Sequence, residues 1–174
     1  RLGPSLAPYR KRVYLACKTL ERRKDAARKE LEQSLKDLKT DWLDNYQLHS
    51  VTTREDVETA FGPGGAMELL RDMKEQGVIR KVGITAHSEQ AALACLRLYP
   101  FDTVVFPINW MLHMGQGIGE SLKAAAEKDG FGLLSIKSII QRAWKDDGER
   151  SASPWPKSWC RPIDEKDSAF RLAA

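Results

Sequence analysis

Polar side chains follow each of five short apolar runs in this sequence, and most of them carry a charge or an imidazole. They are Lys18, His49, Thr85, His87, Ser88, Asn109 and Lys137. A lysine can lower the pKa of a neighbouring phenol or act as a base once it is partly desolvated, and a histidine exchanges protons near neutral pH. Lys18 stands between an apolar run and Thr19, so its ammonium is expected to be partly desolvated. The pattern predicts proton-transfer chemistry with Lys18 and His49 as a pair. The alternative at any one position is a solvated strand end.

The five apolar runs alternate with amphipathic segments. Strands are predicted at 13–17, 44–49, 82–85, 103–108 and 133–137, and helices at about 27–38, 66–73, 89–98 and 118–125. The strand ends recur at intervals of 24 to 36 residues, which fits a strand plus a crossover helix. Such alternation predicts a parallel sheet covered by helices, with functional groups at the carboxyl ends of the strands. Barrel and doubly wound folds both remain open, although no G-x-G-x-x-G follows the first strand.

Composition and charge narrow the class of protein. The 174 residues are 42% apolar and 30% charged, as expected of one globular domain, and no apolar run approaches the roughly 18 residues of a membrane helix. The net charge of +4 comes mainly from basic runs at 10–12 and 22–24. These runs lack interleaved aromatic residues, so a solvated face is expected, with a nucleic-acid-binding module as a rival interpretation.

The cysteines indicate a reducing, cytoplasmic setting. Cys17, Cys95 and Cys160 are few, odd in number and far apart, which argues against a disulfide scaffold. Their spacing fits no metal-ligand pattern, so no metal site is expected. Each is expected to be a small buried apolar residue.

Four segments of the chain resemble, in order, consecutive parts of the aldo-keto reductase family. They are VYLACKT, SLKDLKTDWLDNYQLHSV, LLRDMKEQGVIRKVGITAHS and FDTVVFPINW, and the resemblance runs from Arg1 to about Lys137. The tail, KSIIQRAW…PWPKSWCRP, is similar to a branch of predicted oxidoreductases in that family. The resemblance implies a (β/α)8 TIM barrel, with this chain covering about strands three to seven as a single, incomplete barrel domain over 1–174. It also implies NADP(H) as cofactor and reversible reduction of aldehydes or ketones.

The resemblance assigns two catalytic residues to this chain. The family's lysine falls on Lys18 and its histidine on His49. Its aspartate and tyrosine lie upstream of the lysine strand, and the tyrosines of this chain do not match that motif. These 174 residues alone are therefore expected to lack the aspartate and the tyrosine. His113 has no comparable setting and is expected to be structural.

The cofactor residues implied by the resemblance depart from the family's usual pattern. The implied set is Thr85, His87, Ser88, Asn109 and Lys137. Where many members carry Ser-Asn after the fifth strand, this chain has the run TAHS. Val105 stands where a glutamine often binds the nicotinamide, and Ile136 or Lys137 stands where a tyrosine often stacks on it. These departures leave a non-catalytic nucleotide-binding relative as the alternative function.

The partners expected are a small carbonyl substrate, with neither nucleic acid nor a membrane. The stretch 151–162 is rich in proline and tryptophan and is expected to be a loop. Trp144, Trp155 and Trp159 are expected either to cover the mouth of the barrel as a lid or to pack against outer helices.

Overall fold

The structure is a computed structural model, and it describes residues 2–138 and 145–152. These residues fall into two compact units. The first unit takes in the chain up to residue 106 together with residues 121–134. The second takes in residues 107–120 and the described residues after 134.

Five strands form one sheet in the order of the sequence. They are β1 (Ala16–Thr19), β2 (Leu43–Val51), β3 (Ile79–Ala86), β4 (Thr103–Pro107) and β5 (Gly132–Ile136). The pairs β1–β2, β2–β3 and β3–β4 are parallel. A doubly wound sheet reverses its strand order at a switch point, whereas a barrel adds each strand beside the one before. The sequential order of these five strands is that of a (β/α) barrel, which confirms the expected fold class.

Helices separate the strands. They are α1 (Leu2–Leu6), a 3₁₀ helix (Ala7–Arg12), α2 (Lys24–Leu38), α3 (Arg54–Phe61), α4 (Ala66–Glu75), α5 (Glu89–Leu98), α6 (Trp110–Gln116), α7 (Glu120–Asp129) and α8 (Asp147–Ala152). The four predicted helices correspond to α2, α4, α5 and α7. The first two residues of the loop predicted at 151–162 are helical, because Ser151 and Ala152 complete α8. Residues 153–162 lie outside the described residues.

Local signals in the sequence fix several helix ends. Thr53 and Asp56 form a capping box at the start of α3, in which each side chain accepts the backbone N–H of the other residue. The Ser88 side chain accepts the N–H of Ala91 and so caps α5. Gly77 follows α4 with a φ of +74°, a left-handed conformation that glycine adopts without the usual Cβ clash.

The core of the first unit is apolar where helices cover the sheet. Leu31 of α2, Leu70 of α4, Leu48 of β2 and Ile84 of β3 are wholly or almost wholly buried. Each such side chain stabilises the fold by about 1.5–3 kcal/mol through its removal from water. This core holds the strands in register and thereby fixes where their carboxyl ends lie.

The opposite face of the same strands carries a buried polar network. Thr103 accepts hydrogen bonds from Asn45 Nδ2 at 2.7 Å and from Gln47 Nε2 at 3.4 Å. Gly83 lies between β2 and β4 in register, paired with Gln47 on one side and Thr103 on the other. A Cβ at Gly83 would overlap the Thr103 hydroxyl, so the network requires glycine there.

A second cluster lies where the strands begin. The guanidinium carbons of Arg10 and Arg80 are 3.4 and 3.6 Å from the ring centroid of Trp42, so the two groups must stack on opposite faces of the indole. Both arginines also pair with Asp44, Arg10 at 3.0 Å and Arg80 at 3.4 Å. This cluster joins the segment before β1 to the first residues of β2 and β3.

Candidate active site

Lys18 and His49 lie on the same face of two neighbouring parallel strands. Lys18 of β1 pairs in register with Gln47 of β2, and His49 is two residues further along β2. Because alternate residues of a strand point to the same face, Lys18, Gln47 and His49 share one side of the sheet near its carboxyl end. The expected juxtaposition of Lys18 and His49 is therefore what the fold produces.

Two expectations for Lys18 are wrong. The first strand begins at Ala16 and not at Val13, so Lys18 lies inside β1 and does not follow it. Its side chain was expected to be partly desolvated, yet the residue is exposed. Ala16, two residues earlier on the same face, is exposed as well, whereas Thr19 on the opposite face is buried. The burial of β1 is thus confined to the face that α2 covers.

The His49 ring makes a close contact with a threonine of the next strand. Nδ1 of His49 lies 2.7 Å from Oγ1 of Thr85, and the backbone N–H of Ser50 donates to the same oxygen at 2.7 Å. Thr85 lies in β3, which pairs with β2 up to Leu48 and again at Val51. The register shift between those two residues brings the Thr85 hydroxyl to the His49 ring.

This register shift is accompanied by an unusual backbone conformation. Ser50 has a φ of 57°, in the left-handed region that residues other than glycine rarely adopt. Nη2 of Arg22 donates to the carbonyl of His49 at 2.8 Å and to that of Ser50 at 3.2 Å. Bulges beside active sites commonly re-aim a side chain, and here the re-aimed side chain is His49.

Arg22 is itself held by an acidic partner. Its Nε lies 2.9 Å from Oδ1 of Asp56, and both side chains are mostly buried. Burial opposes ionisation of Asp56, but the N–H groups of Thr53 and Thr52 and the Arg22 guanidinium outweigh it, so the pKa of Asp56 is lowered. The cap of α3 and the bend after His49 are therefore joined through one ion pair.

The local environment favours the neutral form of His49. Burial lowers the pKa of its imidazole most, and the positive charges of Lys18, His87 and Arg22 lower it further, while Glu30 opposes them. A neutral imidazole has one N–H and one unprotonated nitrogen, so it can donate one hydrogen bond and accept another.

The cofactor residues expected in the first unit differ in their burial and in their hydrogen-bond partners. Thr85 is buried and in contact with His49, whereas His87 is exposed and its backbone N–H donates to the carbonyl of Val51. The Ser88 hydroxyl accepts from Ala91 as the cap of α5. Val105 of β4 pairs with Thr85 in register and offers no polar side-chain atom there.

The remaining expected cofactor residues belong to the second unit. Asn109 is buried, and its carbonyl accepts the N–H of His113 at the start of α6. Lys137 follows β5, is exposed and has a φ of 59°. His113 Nδ1 bonds to the carbonyl of Ile118 at 2.9 Å, and its Nε2 is 3.3 Å from Glu120. These contacts give His113 the structural role expected of it.

The basic runs were expected to be a solvated face, and for two arginines this is wrong. Arg10 is buried against Asp44 and Trp42, and Arg22 is largely buried beneath the His49 backbone. No pattern in the sequence could have identified them, because their partners lie roughly 30 residues away in the chain. A spacing rule reports only neighbours on one helix or strand.

Other expectations concern cysteines, tryptophans and absent features. Cys95 is fully buried, and burial raises its pKa to about 12, whereas Cys17 is half-buried beside Ser34. Cys160 and the three tryptophans of the expected lid, at 144, 155 and 159, lie outside the described residues.

Within 2–138 and 145–152, no three side chains of a metal-binding type gather, and no helix is both long and apolar enough to cross a bilayer.

Sequential parallel strands define a (β/α)-barrel protein. In this class of fold, functional sites lie at the carboxyl ends of the strands, the region in which Lys18 and His49 stand. The chain belongs to the aldo/keto reductase family, whose family model matches residues 2–159. No curated protein sequence matched it.

Solved structures share the fold. An aldo-keto reductase from Bacillus halodurans in its apo form is 20% identical with a TM-score of 0.63, over 83% of this chain and 48% of that one. An aldo/keto reductase from Klebsiella pneumoniae in complex with NADP and acetate is 21% identical with a TM-score of 0.62, over 82% and 52%. A Klebsiella pneumoniae aldo-keto reductase in complex with NADPH is 20% identical with a TM-score of 0.63, over 82% of this chain and 52% of that one. The chain thus spans about half the length of these proteins.

Proposed function

We propose that this chain serves the NADP-dependent, reversible reduction of aldehydes or ketones, with Lys18 and His49 as its catalytic residues. The observation that carries the proposal is the placement of these two side chains on one face of neighbouring strand ends, with the pKa of His49 lowered by burial and by Lys18. Membership of the aldo/keto reductase family supplies the reaction type.

Each residue has a defined task in this proposal. Neutral His49 donates its N–H to the carbonyl oxygen of the substrate and so orients the carbonyl group. Lys18 lowers the pKa of the tyrosine that donates the proton in this family. NADPH, when bound, would supply the hydride from its reduced nicotinamide.

The residues proposed to hold the cofactor fit it in part. Thr85 places a hydroxyl at the end of β3, and an oxygen that accepts the Ser50 N–H retains a second lone pair. Val105 beside it contributes only apolar surface. We assign the binding role to Thr85, His87 and Ser88 in the first unit. In the second unit, Asn109 and Lys137 remain candidates that rest on the sequence resemblance.

The setting proposed is the cytoplasm. Cys17 and Cys95 are free, as in a reducing compartment. We take 1–174 to be one partial barrel domain that acts on a small molecule.

The test is NADPH oxidation by the native polypeptide that carries this chain, measured with a panel of aldehydes and ketones. Lys18→Met and His49→Gln are each expected to lower turnover by about 10²–10⁴-fold, the range typical of general acid–base groups. Lys81→Met is the matched control, because Lys81 is also an exposed strand lysine but pairs with Asn45, further from the strand ends. Unchanged turnover in both catalytic variants would refute the assignment.

The second candidate is a nucleotide-binding protein that does not catalyse reduction. Two apolar residues favour it. Val105 stands where a glutamine often binds the nicotinamide in this family, and Ile136 stands near the position where a tyrosine often stacks on it. NADPH binding followed by fluorescence, without oxidation of NADPH by any carbonyl compound, is the outcome that selects this candidate.

A further inference from the structure

We propose that Thr85 is a positioning residue for His49, holding the imidazole in the tautomer that carries its hydrogen on Nε2. Nε2–H is then the donor that the ring offers to a ligand. The functional meaning of this tautomer rests on the proposed carbonyl reduction, but the tautomer itself is a property of the protein alone.

The hydrogen-bonding capacity of the Thr85 hydroxyl leads to this assignment. A threonine hydroxyl has one hydrogen and two lone pairs. The N–H of Ser50 lies 2.7 Å from Oγ1 and can only donate, so it occupies one lone pair. His49 Nδ1 is also 2.7 Å from Oγ1, and this second contact can run in either direction.

Burial decides the direction of the second contact. Thr85 is 4% exposed, and among residues 2–138 and 145–152 its hydroxyl has no other acceptor than His49 Nδ1. If Nδ1 carried the hydrogen, the hydroxyl hydrogen of Thr85 would be buried without a partner, which is costly. If Nδ1 accepts that hydrogen, both the hydroxyl hydrogen and Nδ1 are paired, and the ring hydrogen lies on Nε2.

The backbone around His49 keeps the two groups together. Ser50 holds its left-handed conformation with its N–H bonded to Thr85 and its carbonyl bonded to Arg22. The same guanidinium binds the carbonyl of His49. The ring and the hydroxyl are thus fixed by the main chain as well as by their own contact, as expected of a pre-organised group.

Thr85 thus has a role beside the one that the resemblance implies. The sequence resemblance gives it a cofactor-binding role, whereas its hydroxyl hydrogen is here committed to His49. One lone pair of Oγ1 remains to accept a hydrogen bond from a ligand. Thr85 can therefore orient His49 whether or not a nucleotide is bound.

Long-range ¹H–¹⁵N NMR of the histidine side chains tests the assignment on the 174-residue chain without any ligand. The chain has three histidines, and His49→Gln identifies the His49 signals. Above the pKa, the wild type is expected to show Nδ1 at the shift of an unprotonated nitrogen and Nε2 at that of a protonated one. Thr85→Ser keeps the hydroxyl and is expected to keep this pattern, whereas Thr85→Val is expected to bring the two shifts together as the tautomers mix.

Thr103→Val is the matched control. It also removes a buried strand hydroxyl, but one that serves Asn45 and Gln47, so the His49 signals are expected to stay unchanged. An Nδ1–H tautomer in the wild type would overturn the proposal, and so would a Thr85→Val spectrum identical to that of the wild type. Should Thr85→Val not fold, the wild-type tautomer still decides. A chain with the expected tautomer that neither binds nor oxidises NADPH would refute the proposed function and leave this inference intact.

Discussion

The guanidinium of Arg22 donates a hydrogen bond to the backbone carbonyl of His49 at 2.8 Å. Arg22 follows the first strand, whereas His49 stands near the end of the second. The arginine therefore connects the segment after β1 to the end of β2, beside the candidate catalytic imidazole. Its ion pair with Asp56 extends the connection to the first turn of α3.

Arg22→Met is expected to lower the free energy of unfolding by about 2–3 kcal/mol. The change removes hydrogen bonds from a charged donor and leaves the largely buried Asp56 carboxylate without its partner. Urea denaturation measures the effect. Arg54→Met is the control, because Arg54 and Glu58 form a solvent-exposed pair whose loss should cost at most about 0.5 kcal/mol. Equal losses in the two variants would contradict the role given to Arg22.

Lys18→Met is expected to raise the pKa of His49. Burial is the largest cause of the lowered His49 pKa and persists in the variant, so the pKa should move only part of the way toward the ordinary value of 6.5. The charges of His87 and Arg22 also remain. Titration of the His49 ring by NMR measures the change, and Lys81→Met should leave the titration curve where it is. A His49 pKa that does not respond to Lys18 would show that the two groups are too far apart to act together.

The fold is expected to lose stability as the pH falls below about 6.5. The pKa of His49 is lower in the folded chain than in the unfolded chain, so between the two values the unfolded state binds more protons. This contribution is complete above the unfolded value and disappears as the pH falls through the folded one. Denaturation midpoints between pH 5 and 8 measure it, and His49→Gln should flatten the slope. An equal slope in His49→Gln would assign the effect to other groups.

The 174-residue chain by itself is expected to bind NADPH but to reduce carbonyl compounds at least about 10²-fold more slowly than ordinary enzymes of this kind. Its four tyrosines are poorly placed to donate a proton. Tyr9 and Tyr14 precede β1, Tyr99 precedes β4, and Tyr46 is fully buried, with a pKa raised chiefly by burial. NADPH oxidation by the purified chain is the measurement. Ordinary turnover would mean that another group supplies the proton.

The elements that could be predicted from the sequence are those specified by local chemistry. Helix α5 has the predicted bounds because Ser88 caps its start and Pro100 follows its end. Helix α6 was not predicted, although Asn109 is a residue type common at helix starts, because the stretch from Trp110 to Gln116 is short and has glycines within and after it. A seven-residue helix of this kind depends on its tertiary surroundings more than on its own propensity.

The site was predictable only where strand ends are involved. Lys18 and His49 were found because parallel strands bring their carboxyl ends together, a rule that needs no knowledge of contacts. The contact of Thr85 with His49 and the clamp by Arg22 depend on a register shift in β2, which no alternation pattern reveals. The exposure of Lys18 has a different cause, because it depends on which face of β1 the helix α2 covers.

The stack of Arg10, Trp42 and Arg80 stands where the strands begin, and the His49 group stands where they finish. Substitutions in the stack should lower the amount of folded protein. Substitutions in the His49 group should alter the chemistry of a protein that still folds. Substitutions near His49 could therefore change the chemistry, in evolution or in engineering, while the Arg10–Trp42–Arg80 stack keeps the fold stable. Screens that score abundance and activity separately would sort substitutions into these two groups by position along the strand.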